Sequence, residues 1–252
     1  MDNKRGQVGV FIIIALVVVV GIVLAVVLIP KFKSSDSAVN SDNPKAYLES
    51  CLKEETLENL KLIGEGGGYL NPLGVVMHNG VEYKYLCYTN ENYRPCILQD
   101  ALIKDRIEIE MNNALKNKVD ECVKSFSQDS ERRGNKVSVS KVSSNVELNS
   151  NNLAINVFAP MTITGESTRN FNNFKIEYPS KMYELSFVAT SILSYESTYG
   201  NSEITTYLQY YPNLIIEKTK IDDGSTIYIV SDVISNEKFA FASRSLVWPP
   251  GS

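Results

Sequence analysis

The chain has little of the chemistry on which many enzymes depend. Its 252 residues include a single histidine, His78, which stands next to the turn-forming pair Asn79-Gly80. A histidine that activates a nucleophile needs a serine or cysteine beside it in space, and no motif here supplies one. The sequence therefore predicts a protein that is not an enzyme, with His78 as a turn residue. An ectoenzyme would have only carboxylate, serine and tyrosine side chains to work with.

Motifs for cofactors and metals are also missing. The glycine-rich stretch 64–68 follows a predicted helix, whereas a phosphate-binding loop lies between a strand and the start of a helix and contains lysine. Asp222-Asp223-Gly224 lacks the other ligand positions of a calcium loop. We expect a helix end at the first site and a hairpin turn at the second. No cofactor and no metal is predicted.

Neither sign of charge dominates the chain. There are 25 Lys and Arg residues against 29 Asp and Glu, which gives a formal net charge of −4, and no basic run occurs. Nucleic acid is therefore not an expected partner.

Long apolar runs are confined to one place, Val8–Ile29, which contains no charged, amide or hydroxyl side chain. A helix of this length spans roughly 30 Å, the thickness of the hydrocarbon core of a bilayer. A single segment can cross lipid only as a helix, because a lone strand leaves its backbone amides unpaired. The run exceeds the roughly 7–15 apolar residues of a cleaved secretory signal, and no A-x-A-like site follows it. We predict a transmembrane helix over 7–30, which makes membrane lipid a partner.

The residues before this run are Lys4-Arg5-Gly6-Gln7. This short basic segment ending in glycine resembles the class III signal peptide of archaeal type IV pilin-like proteins. The resemblance implies a leader over 1–6, cleavage between Gly6 and Gln7 on the cytoplasmic side, and helix contacts with copies of itself or with pilus subunits. The chain departs from the family at Phe11, where many members have glutamate at the fifth mature position. The alternative is an ordinary anchor whose flank happens to have this sequence.

Four cysteines occur, and an even number beyond a membrane anchor suggests disulfides on an oxidising side. Three pairings are possible. Cys87 and Cys96 enclose a polar eight-residue loop, which suits a local bridge, and Cys51 and Cys122 lie on the apolar stripes of two predicted helices, which suits a bridge between helices. Free buried cysteines are the alternative, and the spacing of a zinc site is absent.

Orientation follows from charge and cysteines together. Lys4, Arg5 and the N-terminal amine barely outweigh Lys31 and Lys33 under the positive-inside rule. The cysteines favour an exported domain. We therefore expect a single-pass protein of the cell membrane, with its N-terminus cytoplasmic and its ectodomain extracellular.

The rest of the chain predicts an α+β ectodomain, with helices packed on a largely antiparallel sheet. Residues 31–43 are polar and predict a flexible stalk, and Asn43-Pro44 is typical of a helix start. Residues 44–126 form the predicted helical part, with helices over 44–63 and 97–126 and a hairpin around Asn79-Gly80. Residues 127–245 form the predicted strand-rich part, which contains helices over 180–199 and 202–210, and 246–252 form a tail.

Parts of the first half resemble a group of uncharacterised archaeal membrane-anchored proteins. The residues that carry the resemblance are Ser50-Cys51, Gly67-Gly68-Tyr69, Tyr83 to Tyr88, Pro95-Cys96 and the helix that contains Cys122. The resemblance covers about half of the chain and implies no activity.

Two hypotheses about function follow. The first is a pilin-like surface protein with a structural, adhesion or assembly role. The second is a tethered ligand-binding or sensory module, which would have an apolar, tyrosine-lined pocket between its sheet and its helices.

Overall fold

The computed structural model describes residues 43–248, so the predicted leader, transmembrane helix and nearly all of the stalk lie outside the described residues. Within this range the chain forms four helices: α1 (Pro44–Glu65), α2 (Ile103–Arg132), α3 (Met182–Tyr199) and α4 (Thr205–Tyr210). It also forms ten strands: β1 (Val75–His78), β2 (Val81–Tyr88), β3 (Ile97–Leu98), β4 (Lys136–Val139), β5 (Ser143–Leu148), β6 (Asn152–Thr164), β7 (Thr168–Pro179), β8 (Leu214–Lys220), β9 (Thr226–Asp232) and β10 (Lys238–Arg244). The predicted α+β class is confirmed.

Helix α1 begins as the sequence predicts. The side chain of Asn43 accepts hydrogen bonds from the backbone N–H groups of Lys45 and Ala46, at 3.1 and 3.4 Å, and so satisfies donors that the first turn of a helix leaves free. The helix ends at Glu65, and Gly66 caps it with its N–H bonded to the carbonyl oxygen of Leu62. The glycine-rich stretch is therefore a helix end, as expected.

Helix α2 is displaced from its predicted range of 97–126 by six residues at each end. Its stripe of apolar side chains is buried as predicted, including Met111 and Leu115. Residues 97–98 pair with β2 instead of starting the helix, opposite Tyr88 and Cys87. At the other end the polar segment that was expected to break the helix stays helical through Arg132, whose guanidinium lies 3.0 Å from the carboxylate of Asp129.

The strands form two sheets rather than the single sheet that the sequence suggests. The first has the order β1-β2-β10-β9-β8, with β3 also bonded to β2, and the second is built around β6, which pairs with β4, β5 and β7. Nearly every neighbouring pair is antiparallel, as predicted. The exception is β10, which runs parallel to β2. This pairing places a strand from the last part of the described chain beside one from the first part.

The helices contact both sheets. Helix α3 packs on β9 and β10, α2 packs on β4 and β5, and α1 contacts both β7 and β10. One cluster of buried side chains extends from Leu48 in α1 to Phe241 in β10, and α2 runs without a break across residue 126. The described residues therefore share one hydrophobic core.

Candidate functional site

Two disulfides hold the described residues together, which confirms the expectation of disulfide bonds. Cys51 is bonded to Cys122 and so joins α1 to α2, with Cα atoms 6.0 Å apart. Cys87 is bonded to Cys96, with Cα atoms 5.3 Å apart. No cysteine of the chain is left as a free thiol.

The loop enclosed by the second disulfide is fastened by the last described residues of the chain. The backbone N–H of Tyr93 donates to the carbonyl oxygen of Val247 at 3.0 Å, and that of Leu246 donates to Arg94 at 2.8 Å. The rings of Tyr93 and Trp248 meet edge to face with centroids 5.4 Å apart. Segment 244–248 therefore acts as a clasp over this loop.

A buried carboxylate, which the sequence did not reveal, lies beneath the same region. Glu196 in α3 is only 2% exposed. Its side chain accepts hydrogen bonds from the hydroxyl of Tyr228 at 2.5 Å, the backbone N–H of Ser202 at 2.8 Å and the hydroxyl of Ser243 at 3.0 Å. Burial, together with the charge of Glu196 and its hydrogen bond, raises the pKa of Tyr228 well above its ordinary value, so this hydroxyl remains a donor.

This network connects α3 to the first sheet and to the second disulfide. The hydroxyl of Ser245 donates to the carbonyl oxygen of Glu196 at 2.9 Å and accepts from the backbone N–H of Cys96, also at 2.9 Å. The Glu196 carboxylate is almost completely buried and, through its three donors, joins α3 to β9, to β10 and to the turn after α3. The available sequence signal was its spacing, four residues after Ile192 on the apolar stripe of α3.

A second polar cluster forms where the glycine-rich exit of α1 meets the start of α2. The carboxylate of Asp100 accepts from the hydroxyl of Tyr69 at 2.8 Å, from Nε of Arg106 at 3.0 Å and from the backbone N–H of Leu102 at 3.0 Å. Burial acts to raise the pKa of Asp100, but the hydrogen bonds from Arg106, Tyr69 and Leu102 outweigh it and hold the pKa below its ordinary value. The Tyr69 ring also lies 5.4 Å from Nζ of Lys84.

One cavity with two tyrosines in its lining bears on the hypothesis of a ligand-binding module, although its lining is half polar rather than apolar. It has a volume of about 310 Å³ and lies between the β5–β6 turn, the first half of α3 and the residue after α4. Its lining consists of three aromatic and three polar side chains: Tyr183, Phe187, Tyr211, Ser150, Asn151 and Glu184. We call it the aromatic cavity below.

The aromatic cavity is bordered by an ammonium group. Nζ of Lys181 lies 3.4 Å from the carboxylate of Glu184 and donates to the side-chain oxygen of Asn151 at 3.2 Å. Lys181 therefore contacts two of the three polar side chains in the lining. The sequence placed these residues in a predicted helix and a predicted turn, but it could not show that they meet.

His78 is the last residue of β1. A ring nitrogen of His78 lies 3.1 Å from the side-chain nitrogen of Asn79, its neighbour in the β1–β2 turn. Within residues 43–248 no group of three or more His, Cys, Asp or Glu side chains is arranged to hold a metal ion.

The predicted processing residues Gly6 and Gln7 lie outside the described residues. Among the helices in the described part of the chain, none has the length and apolar character needed to cross a bilayer. Comparison of the chain with protein-family models, curated proteins and solved structures gives no match.

Proposed function

We propose that this chain is a non-catalytic, membrane-anchored cell-surface protein, inserted as a type IV pilin-like precursor and serving a structural, adhesion or assembly role. The observation that carries the proposal is the apolar run Val8–Ile29 directly after the basic residues and glycine of Lys4-Arg5-Gly6-Gln7. The run is long enough to cross a bilayer as a helix. Its N-terminus faces the cytoplasm and the domain after it faces outward.

The disulfides support the outward position of the domain. Disulfides persist in oxidising compartments and are rare in the cytosol, and both pairs in this chain lie in the part beyond the apolar run. A disulfide restricts the unfolded chain and so stabilises a domain exposed to the environment. The mechanism of the protein is mechanical: lipid holds the helix, and the cross-linked domain presents its surface.

Helix association is the assembly part of the proposal. Small residues along the apolar run, at Gly9, Ala15, Gly21 and Ala25, let the backbones of neighbouring helices approach closely. Copies of this chain or pilus subunits are the partners that such contacts fit. Phe11 takes the place of the glutamate found in many pilin-like proteins, which makes an anchored monomer the competing form.

The start of the mature chain tests the precursor. Mass spectrometry of protein isolated from native membranes is expected to show an N-terminus at Gln7, and a Gly6→Val variant is expected to keep its leader. A native chain that begins at Met1 or Asp2 would contradict the pilin-like precursor but would be consistent with a membrane anchor. A full-length chain found freely soluble in the cytosol, with reduced thiols, would contradict both the precursor and the membrane anchor.

A tethered ligand-binding module is the second candidate, because one observation favours it. The aromatic cavity lies between helices and a turn of the second sheet, and the two tyrosines in its lining support this candidate. In this case the disulfides hold a binding domain rather than a filament subunit. Electron microscopy with an antibody to the domain separates the two functions, since a subunit labels filaments and a tethered module labels the envelope diffusely.

A further inference from the structure

We propose that the aromatic cavity binds a neutral, polyhydroxylated ligand, a single sugar residue. This names the ligand class of the second candidate function and rests on it for biological meaning, but binding itself requires only the folded domain. The volume of about 310 Å³ is at the small end of ligand pockets and suits one ring rather than a chain.

The aromatic side chains supply the apolar part of such a site. Tyr183 and Phe187 lie one turn apart on α3, and Tyr211 faces them from the segment after α4. A pyranose ring has faces made of C–H groups, which pack on the electron-rich faces of aromatic rings. Phe187 is 57% exposed although it is fully apolar, so its ring is free to contact a ligand.

The polar side chains supply directional hydrogen bonds. The amide of Asn151, the hydroxyl of Ser150 and the carboxylate of Glu184 together present donors and acceptors at one rim of the cavity. Adjacent hydroxyl groups of a sugar act as donor and acceptor at once and match this combination. A purely apolar ligand would remove these groups from water without offering them hydrogen bonds, which carries a cost.

The rim is held in place before any ligand arrives. Lys181 contacts the side-chain oxygen of Asn151 and the carboxylate of Glu184, and the backbone oxygen of Asn151 accepts from the N–H of Ser180 at 3.1 Å. On the opposite side, the hydroxyls of Tyr207 and Ser191 lie 2.9 Å apart and fasten α4 to α3. A rigid site loses less entropy on binding than a mobile one.

Charge selects a neutral ligand. The single carboxylate of the lining, Glu184, is paired with the ammonium of Lys181. A second ammonium close to Tyr183, that of Lys104, is paired with Glu108 at 2.6 Å. Residues 182–217, which include α3 and α4, contain no lysine or arginine. No unpaired cation of the lining is therefore available for the carboxylate of an acidic sugar.

The test is ligand-observed NMR on the full chain in lipid nanodiscs, free of maltoside or glucoside detergents, whose head groups would compete. The probes are methyl glycosides of glucose, galactose and mannose, short neutral oligosaccharides, sialic acid and adenosine. At least one neutral probe is expected to bind. A preference for the oligosaccharide points to the end of a glycan as the source, and equal binding of the methyl glycoside points to a free sugar; either result supports the site.

Variants locate the binding. Phe187→Ala and Asn151→Ala are each expected to weaken it about tenfold, the effect of one lost aromatic or hydrogen-bonding contact. Tyr199→Ala is the matched control, because Tyr199 is a similarly exposed aromatic residue on the same helix, 62% exposed, and is not in the lining. Its binding should stay within about twofold of that of the unaltered chain.

Several results would overturn the proposal. They are the absence of binding by every neutral probe at millimolar concentration, stronger binding of sialic acid or adenosine, and equal losses in Tyr199→Ala and Phe187→Ala. The N-terminus of the mature chain does not enter this experiment. Failure here therefore leaves the anchored-protein proposal standing, and failure of that proposal leaves the binding result standing.

Discussion

At the scale of single residues, Glu196 shows how a charge can belong to a core. Three donors, one each from β9, β10 and the turn after α3, surround its carboxylate, so the cost of removing it from water is offset by hydrogen bonds. A buried carboxylate with all its hydrogen bonds in place adds little net stability. Its removal is costly, because several buried groups are then left without partners.

Glu196→Ala should therefore be strongly destabilising. It leaves the hydroxyls of Tyr228 and Ser243 and the N–H of Ser202 without their acceptor, and we expect the free energy of unfolding to fall by about 3 kcal/mol. Urea unfolding followed by circular dichroism measures this. Glu196→Gln keeps an acceptor of the same shape and should cost less, and Glu58→Ala, at an exposed site on α1, should cost under about 0.5 kcal/mol. Equal stabilities of all three variants would contradict the role given to Glu196.

Asp100 gives a prediction about pH. Its folded-state pKa lies below the ordinary value, so the folded state favours the charged form, and the stability that it adds is present above the unfolded pKa of about 3.9. This stability is lost as the pH falls through the folded pKa. Asp100→Asn should be less stable than the unaltered chain at pH 7, with a gap that stays constant down to about pH 5 and narrows below about pH 4. Urea titrations at pH 7, 5, 4 and 3 would show it, and a gap that does not change with pH would refute it.

At the scale of elements, the two disulfides act on different lengths of chain. The bond between α1 and α2 encloses a sequence separation of 71 residues, and the bond across the β2–β3 loop encloses one of 9. The longer loop has more freedom to lose, so its closure restricts the unfolded state more.

Removal of the Cys51–Cys122 bond should therefore lower the free energy of unfolding more than removal of the Cys87–Cys96 bond. The pair of substitutions Cys51→Ser and Cys122→Ser is expected to lower the free energy of unfolding by about 4 kcal/mol, and Cys87→Ser with Cys96→Ser by about 2.5 kcal/mol. Denaturant midpoints measured without reductant check both values. The matched control is the unaltered chain in reductant, which should be less stable than either variant without reductant. The reverse order of the two variants would contradict the explanation by loop length.

The displaced ends of α2 show where sequence patterns stop being informative. Ile97 and Leu98 are apolar and fit the helical period, yet the disulfide at Cys96 brings them alongside β2, where their backbones find partners. At the other end, residues 128–132 are polar but remain helical, since the hydroxyl of Tyr47 in α1 donates to Asp129 at 3.2 Å and so ties this turn to α1. Tertiary contacts decided both ends.

At the scale of the whole molecule, the described residues behave as one body. The parallel pairing of β10 with β2 joins late and early parts of the chain, and α2 contributes to a cluster that includes both sheets. Local unfolding of either residues 44–126 or residues 127–245 would therefore expose the core that they share.

Unfolding should consequently be a single transition. Far-UV circular dichroism, which follows the helices, and near-UV signals of the many tyrosines should give the same midpoint. The comparison is made on the full chain in nanodiscs with its disulfides intact. Two separate midpoints would show that residues 44–126 and 127–245 unfold independently.

The sequence by itself determined the local structure of this protein. Asn43-Pro44, Asn79-Gly80 and the apolar stripe through Met111 fixed a helix start, a hairpin and a buried helix face, because each signal depends only on neighbours in the chain. The spacing of the four cysteines likewise favoured the two bonds that form. Only the tertiary structure decided that there are two sheets, that β10 lies beside β2, that Glu196 is enclosed by donors, and that Asn151 faces Phe187 across a cavity. These facts join residues far apart in sequence, and long-range pairing depends on how the whole core packs rather than on any local pattern.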